Sequence, residues 1–244
     1  QDIARLNAFY HNKGYINARI AEPQIDILDD GIQITIKIEE GDRYKVGKVQ
    51  VSGDLVLPEQ ELVSKLAIAQ ENFFNREKIR QDIITLTDLY GGLGYAYADV
   101  NPRISENPAE RVVNIDFTIQ KNQQVYIEKI IISGNTRTRD KVIRRELRLQ
   151  ENQLFNAQSL KRSVRNLYRL EYFEDIEVNT IRGSEEDKMT LKINVSEKST
   201  GMFSFGAGYS SEENMFLVGS ISQRNFLGRG QTLQVNGQLG GSTT

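Results

Sequence analysis

Cysteine and tryptophan are absent from the 244 residues, histidine occurs once and proline four times. Without thiols there is no disulfide, no thiolate nucleophile and no cysteine cage for a metal. The lone His11 cannot assemble a transition-metal site and reads as a solvated helix residue. No run of about 18 apolar residues is present, so no membrane-spanning helix is encoded. Neither sign of charge dominates: 31 basic and 33 acidic side chains leave a formal charge of -2, which provides no field for nucleic acid. Carboxylates are scattered over strand faces and turns such as Glu185-Glu186-Asp187, not paired as an acid–base dyad, and no Gly-x-Ser-x-Gly elbow occurs. The cluster Gly91-Gly92-Leu93-Gly94 ends a helix, whereas a phosphate cradle has to open one. The expectation is a chain without a catalytic site, cofactor or small-molecule substrate.

What the chain does contain is a unit of about 80 residues, met nearly three times. Its corner reads Phe9-Tyr10…Gly14-Tyr15, then Leu89-Tyr90…Gly94-Tyr95, then Leu167-Tyr168…Glu171-Tyr172. A second landmark, Val51-Ser52-Gly53-Asp54, returns as Ile132-Ser133-Gly134-Asn135. In the complete middle copy, Tyr44 to Ser52 reads as a strand and Pro58 opens a short helix. Asn75 caps a second helix whose Ile79, Ile83, Leu86 and Tyr90 share one face. Two strands follow, the last alternating Val113, Ile115, Phe117 and Ile119 with polar residues. Ile32, Ile34, Ile36 and Ile38 repeat that alternation in copy one, and Met189, Leu191, Ile193 and Val195 in copy three.

The unit is therefore β-α-α-β-β: an α+β fold with a three-stranded mixed sheet and two helices on one face. Pro23 and Pro102 lie in the fourth element of copies one and two, which puts that element at the edge and the last strand in the middle. Asp2 to Lys13 matches the second helix, so the chain is expected to begin inside a repeat and to be cut at both ends. The expected boundaries are 1–41 for a partial copy, 42–121 and 122–198 for complete ones, and 199–244 for a strand-only tail. Copy three departs twice: its second helix is shorter by about one turn, and Glu171 replaces glycine, putting a left-handed corner in doubt.

In the tail, three segments of about nine residues alternate apolar side chains with small or polar ones. Phe203, Phe205, Ala207 and Tyr209 share a face, opposite Met202, Ser204, Gly206 and Gly208. Met215 to Gln223 and Gln231 to Leu239 continue the pattern. Transmembrane β-barrel strands look like this, and so do the strands of a soluble sandwich. One charge asymmetry stands out in copy three: its helices are expected to carry Arg137, Arg139, Lys141, Arg144, Arg145, Arg148, Lys161, Arg162, Arg165 and Arg169. A solvated face is one reading, and contact with acidic headgroups or a membrane-proximal partner is the other.

The strand–helix order, the Ser-Gly-Asp/Asn turn and the Leu-Tyr…Gly-Tyr corner resemble the POTRA domain over residues 1 to about 197. The segment Gln223-Arg-Asn-Phe-Leu-Gly-Arg-Gly230 resembles the turn joining the second and third barrel strands of the Omp85 superfamily of outer-membrane proteins. The third copy, through Arg139-Asp-Lys-Val-Ile-Arg-Arg-Glu146, looks like the last POTRA domain of that superfamily's assembly factors. The resemblance implies POTRA domains three (partial), four and five, followed by the first three strands of a barrel too short to close. It implies periplasmic repeats, an outer-membrane barrel and a central role in inserting β-barrel proteins. The partners it implies are unfolded outer-membrane proteins, accessory lipoproteins and the phospholipid membrane, with no nucleic acid.

Residues follow from these expectations. Edge strands Ala18–Asp26 and Ala98–Glu106 would hold clients by β-augmentation, through Arg19, Ile20, Ala21, Gln24 and Ile25, and through Asp99, Val100, Arg103 and Ile104. Arg139, Arg144, Arg145, Glu146 and Arg148 would contact lipoproteins or the membrane surface. Phe203, Ser204, Phe205, Gly206, Ala207 and Gly208 would form one side of a barrel seam whose exposed edge pairs with another chain or stays poorly ordered. Arg224, Asn225, Phe226, Leu227 and Gly228 would form the barrel turn. A translocation-assembly factor with similar repeats, a two-partner secretion transporter and a soluble POTRA scaffold remain open alternatives.

Overall fold

The computed structural model describes residues 2–28, 31–210 and 214–240. The chain divides into two compact units, residues 1–123 and 124–244. In the first, α1 (Asp2–Asn12) leads into β1 (Arg19–Ile20), β2 (Gln24–Leu28), β3 (Gly31–Thr35) and β4 (Ile38–Glu39). The complete copy follows as β5 (Lys45–Gly53), α2 (Glu59–Ser64), a 3-10 turn at Ile68–Gln70, α3 (Arg76–Gly92), β6 (Asp99–Asn107) and β7 (Val112–Gln120).

The sheet order is β5-β7-β6, with β5 and β7 parallel and β6 and β7 antiparallel, as the proline argument requires. Pro102 sits in the edge strand opposite Phe117. The Asn75 side chain accepts from the Lys78 amide at 3.2 Å, which satisfies one of the amides left open in the first turn of α3. Ile79, Leu86 and Tyr90 then bury against Val113, Ile115, Phe117 and Ile119, each of these four at most 1% exposed. The Tyr90 hydroxyl donates to the Asp54 carbonyl at 2.8 Å and accepts from the Val56 amide at 3.2 Å, so the corner tyrosine also fastens the β5–α2 loop. The landmark glycine is explained by close approach: Gly53 has φ 91°, and a Cβ there would overlap the Ile119 carbonyl. Gly134 repeats this, at φ 83° against the Val195 carbonyl.

Copy one departs from expectation. Its fourth element is broken: β1 pairs with β4 and β2 with β3, and Ala21 to Pro23 belong to no strand. Pro23 therefore interrupts the edge where Pro102 is accommodated within one. Ile25, Ile27, Ile32 and Ile34 stay exposed, so period-two alternation did not translate into burial here. The reason is layering. In copy two both helices cover the equivalent face of a three-stranded sheet, whereas α1 lies against α3 and β1. His11 is half-buried, with Nδ1 3.4 Å from the Arg76 guanidinium, and is less solvated than expected. Burial and then Arg76 lower its pKa.

The second unit contains β8 (Tyr126–Ser133), α4 (Asp140–Arg144), α5 (Ala157–Arg169), β9 (Phe173–Arg182) and β10 (Lys188–Glu197) in the order β8-β10-β9. The helix shortening is real: α5 has 13 residues and α3 has 17. Glu171 nevertheless adopts φ 57°, so the left-handed corner survives without glycine. The strands β11 (Gly201–Ser210), β12 (Asn214–Phe226) and β13 (Gln231–Gly240) form an antiparallel meander in sequence order. Residues 241–244 of the tail lie outside the described residues. No helix among the described residues is long and apolar enough to cross a membrane, which says nothing of strands.

Asp82 shows how one structural task is met differently in the two copies. Buried in α3, its carboxylate accepts from the Ala67 and Ile68 amides at 2.7 and 2.9 Å. Burial raises its pKa against the pull of those bonds. In copy three, Ser163 at the same place in α5 accepts from the Arg148 amide at 2.7 Å. Asp82→Ala leaves two amides without their acceptor and is expected to cost about 1–3 kcal/mol. Asp82→Ser should lose less. Urea denaturation and hydrogen exchange at Ala67 and Ile68 measure both.

Candidate functional site

The central strand of the third repeat ends at Glu197 and, after a three-residue link, continues as β11. The Glu197 carboxylate closes the loop before α4: it accepts from Thr136 Oγ1 at 3.0 Å and from the Arg137 and Thr138 amides at 2.8 and 2.6 Å. Burial pushes its pKa up, but the hydrogen bonds from Thr138, Arg137 and Thr136 outweigh that, and the net shift is downward.

The loop so held receives the turn between β12 and β13. The Arg139 amide donates to the Gly228 carbonyl at 3.0 Å, and Asn225 Nδ2 donates to Thr138 Oγ1 at 2.8 Å. Asn225 Oδ1 accepts from the Gly230 amide at 2.8 Å, so one buried side chain folds the turn and docks it. The turn is tightly coiled: Asn225, Leu227, Gly228 and Gly230 have φ of 57°, 54°, 68° and 71°. A Cβ on Gly228 would overlap the Arg137 carbonyl, and one on Gly230 would meet the Arg145 guanidinium. At the same end of the repeat, beside the start of β9, Arg224 forms an ion pair with Glu171. The departure from glycine at that corner thus coincides with a contact to the strand-only tail. Thr200 secures the link, donating to the Arg224 carbonyl at 2.6 Å and accepting from Gln223 Nε2 at 2.7 Å.

Within the meander, Phe203 lies opposite Ile221 and Ile221 opposite Val235; Ala207, Leu217 and Leu239 make a parallel row. This face remains exposed, Phe203 at 71% and Phe205 at 69%. The other face carries the rows Ser204–Ser220–Asn236 and Gly206–Val218–Gln238, and Gly208 lies opposite Phe216. An apolar face and a mostly small or polar face are therefore both uncovered, with β11 at one edge of the sheet.

The other residues singled out from sequence are dispersed. Asp99, Val100, Arg103 and Ile104 all lie on edge strand β6; Val100 is buried toward the helices and Arg103 is exposed. Arg19 and Ile20 lie in β1, Gln24 and Ile25 in β2, and Ala21 in the break between them, donating its amide to the Lys37 carbonyl at 2.9 Å. The basic group around α4 separates by role. Arg144 turns inward, to Asp140 at 2.6 Å and the Ile130 carbonyl at 2.9 Å. Arg145 lies beside Glu146 at 3.3 Å and borders the turn, while Arg148 is exposed. Sequence reasoning missed Glu197 and Thr138. The available signal was a charge reversal: strand register makes Glu197 the counterpart of Lys121 in copy two.

Residues 1–41, 44–122 and 125–198 match the POTRA family, described as a surface antigen variable number repeat. The chain belongs to the POTRA family. Over 94% of its length it is 32% identical to "Outer membrane protein assembly factor BamA" of Nitratidesulfovibrio vulgaris. The chain spans 30% of that relative's length. Among solved structures, BamA from Haemophilus ducreyi lacking POTRA domains 1–3 superposes with a TM-score of 0.70 at 26% identity, over 81% of this chain and 37% of that one. The POTRA3–5 fragment of BamA from Haemophilus influenzae gives 0.72 at 24% identity, over 80% and 79%, and supports the tandem POTRA fold.

Two outcomes test the POTRA-to-meander junction. Gly228→Ala puts a Cβ into the Arg137 carbonyl at a left-handed position and should destabilise the docked turn by roughly 1–3 kcal/mol, read as faster amide exchange at Arg139 and Gly230. For Glu197 the folded pKa is below the ordinary 4.5, so its contribution is complete above that value and is lost as pH falls below it. Glu197→Gln should therefore be less stable than the parent at neutral pH. The difference should shrink on acidification, which denaturation midpoints from pH 7 down to about 3 would reveal.

Proposed function

We propose that this chain is the membrane-proximal POTRA segment, with the first barrel strands, of a central outer-membrane protein assembly factor. In this reading residues 1–198 stand in the periplasm as POTRA domains three (partial), four and five, and residues 199–244 begin the barrel. The observation that carries it is the junction just described: a POTRA domain fastened through Glu197, Thr138 and Gly228 to a meander with an open apolar face and an unpaired edge. A sheet with such a face needs lipid or further protein against it, and a barrel start has both.

The chain acts as a binding and folding device, not as an enzyme. Unfolded β-barrel clients arrive with extended backbone that lacks partners, and the β6 edge around Asp99, Val100, Arg103 and Ile104 supplies main-chain bonds tolerant of client sequence. Arg19, Ile20, Gln24 and Ile25 offer a shorter, interrupted edge. Arg148 and the Arg145–Glu146 pair form part of a face for accessory lipoproteins or acidic headgroups, while Arg139 anchors the turn through its amide. The β11 edge from Phe203 to Gly208 is the seam against which an incoming strand registers.

The test is the folding rate of a urea-denatured outer-membrane β-barrel protein into liposomes containing the full-length protein that carries this segment. Empty liposomes and an Ile104→Pro variant run beside it. Several-fold acceleration by the parent, reduced in the variant, supports client contact on β6. No acceleration with accessory lipoproteins present overturns the insertion role in favour of secretion or scaffolding.

A further inference from the structure

Copies one and two meet at a seam inside the first unit, and the chain's single histidine stands in it. The end of α1 abuts the start of α3. Asn12 Oδ1 accepts from the Glu77 amide at 3.0 Å, so copy one supplies an acceptor for the open first turn of a helix in copy two. The Gly14 carbonyl accepts from the Tyr44 amide at 2.8 Å, and the Lys13 carbonyl from Arg43 Nε at 2.7 Å. The Arg43 guanidinium lies 3.5 Å from the centre of the Phe73 ring, and Ile16 packs onto the core of copy two. Gly14 is buried at φ 97°, where a Cβ would press on the Tyr44 carbonyl. Directional polar contacts hold much of this seam, and a misplaced charge disturbs such contacts directly.

His11 is half-buried there, with Nδ1 3.4 Å from the Arg76 guanidinium. A guanidinium can only donate, so the neutral ring offers its Nδ1 lone pair and carries its proton on Nε2. A second proton removes that acceptor and sets imidazolium against guanidinium. The carboxylates nearest the seam are already engaged. Glu77 of α3 is gripped by Arg80 with bonds of 2.6 and 3.1 Å, Asp42 pairs with Arg111 at 3.0 Å, and Glu40 accepts from the Tyr10 hydroxyl. Arg19 on β1, Arg43 before β5 and Lys13 beside Phe9 add further cations. Burial, and after it Arg76, hold the imidazole below the ordinary 6.5. With cysteine absent, His11 is also the one side chain whose ordinary pKa lies between about 5 and 8.

We propose that His11 makes the seam between copies one and two a proton-sensitive clamp, in which protonation releases α1 from the start of α3 and frees copy one to reorient on copy two. The docked ring resists a proton that the undocked ring accepts. Docking is therefore complete above the ordinary 6.5 and weakens as pH falls below it. Copy one carries the interrupted edge of β1 and β2, and copy two the edge strand β6, so the clamp governs whether these edges keep a fixed relation. Use of that relation by a client rests on the assembly reading above; the clamp itself does not.

The test is amide hydrogen exchange in the intact 244-residue chain from about pH 7.5 to about pH 5, expressed as protection factors so that the intrinsic pH dependence of exchange drops out. The Glu77 and Tyr44 amides should lose about threefold to tenfold in protection, the scale of one hydrogen bond's net contribution. The Lys78 amide, capped by Asn75 within copy two, and the Phe117 amide in β7 should hold. His11→Gln keeps an acceptor without a titrating group and should give a flat profile. His11→Lys should be loose already at neutral pH, and Arg76→Gln, which removes the opposing cation, should shrink the response. A parent profile that stays flat, or a His11→Gln profile that falls like the parent's, overturns the proposal. So does loss of protection at Lys78 together with Glu77, since the helix start is then fraying and the seam is not opening. No client enters this readout, so the response as described with no acceleration in the liposome assay upholds the clamp and removes the assembly role instead.

Discussion

A parallel ladder between the first and last strands, Val51 against Phe117 in one repeat and Ile132 against Ile193 in the next, is what the other features depend on. It places the last strand at the centre of each sheet, where its alternating side chains can be covered by both helices. It leaves the fourth element outside, paired on one side only. It also ends the central strand beside the Ser-Gly turn, which requires glycine because Gly53 and Gly134 pass over the neighbouring carbonyl. Copy one shows what happens among the described residues without this ladder: its strands pair in two short hairpins and their isoleucines remain exposed.

In the second unit the same arrangement positions the junction. Because β10 is central, the chain leaves the sheet from its middle, next to the loop that Glu197 ties down. The turn between β12 and β13 then has fixed partners in the Thr138 hydroxyl and the Arg139 amide, and Arg224 reaches the corner at Glu171. Most of these contacts are backbone bonds or short polar bonds at positions with φ above zero, geometry that tolerates little displacement. The exposed Arg224–Glu171 pair adds orientation more than energy, as ion pairs in water do.

The two complete repeats share a scaffold but not a surface. Asp82 and Ser163 perform one capping task with different chemistry, and Pro102 and Val178 leave one edge with different donors. Repeats of this kind keep the buried alternation and vary what faces outward, which lets one fold present different edges to different partners. The apolar face of the meander, rich in phenylalanine and leucine and left uncovered, separates that region from both repeats.

Period and punctuation in the sequence determined the repeat, the β-α-α-β-β order, the helix cap at Asn75, and the edge position of Pro102. Each is a local signal: an alternation of two or 3.6 residues, a side chain that can reach its own backbone, a ring without an N–H. The break at Ala21 to Pro23, the open isoleucine face, the left-handed Glu171 and the meeting of Asn225 with Thr138 were decided by tertiary structure alone. Burial depends on which layer happens to lie opposite a face, and residues 87 positions apart become neighbours only when two sheets are placed together. Glu171 makes the point most simply. Its sequence position argued against a left-handed corner, and the fold imposed one because the strand beyond it had to start in the same place as in its sister repeat.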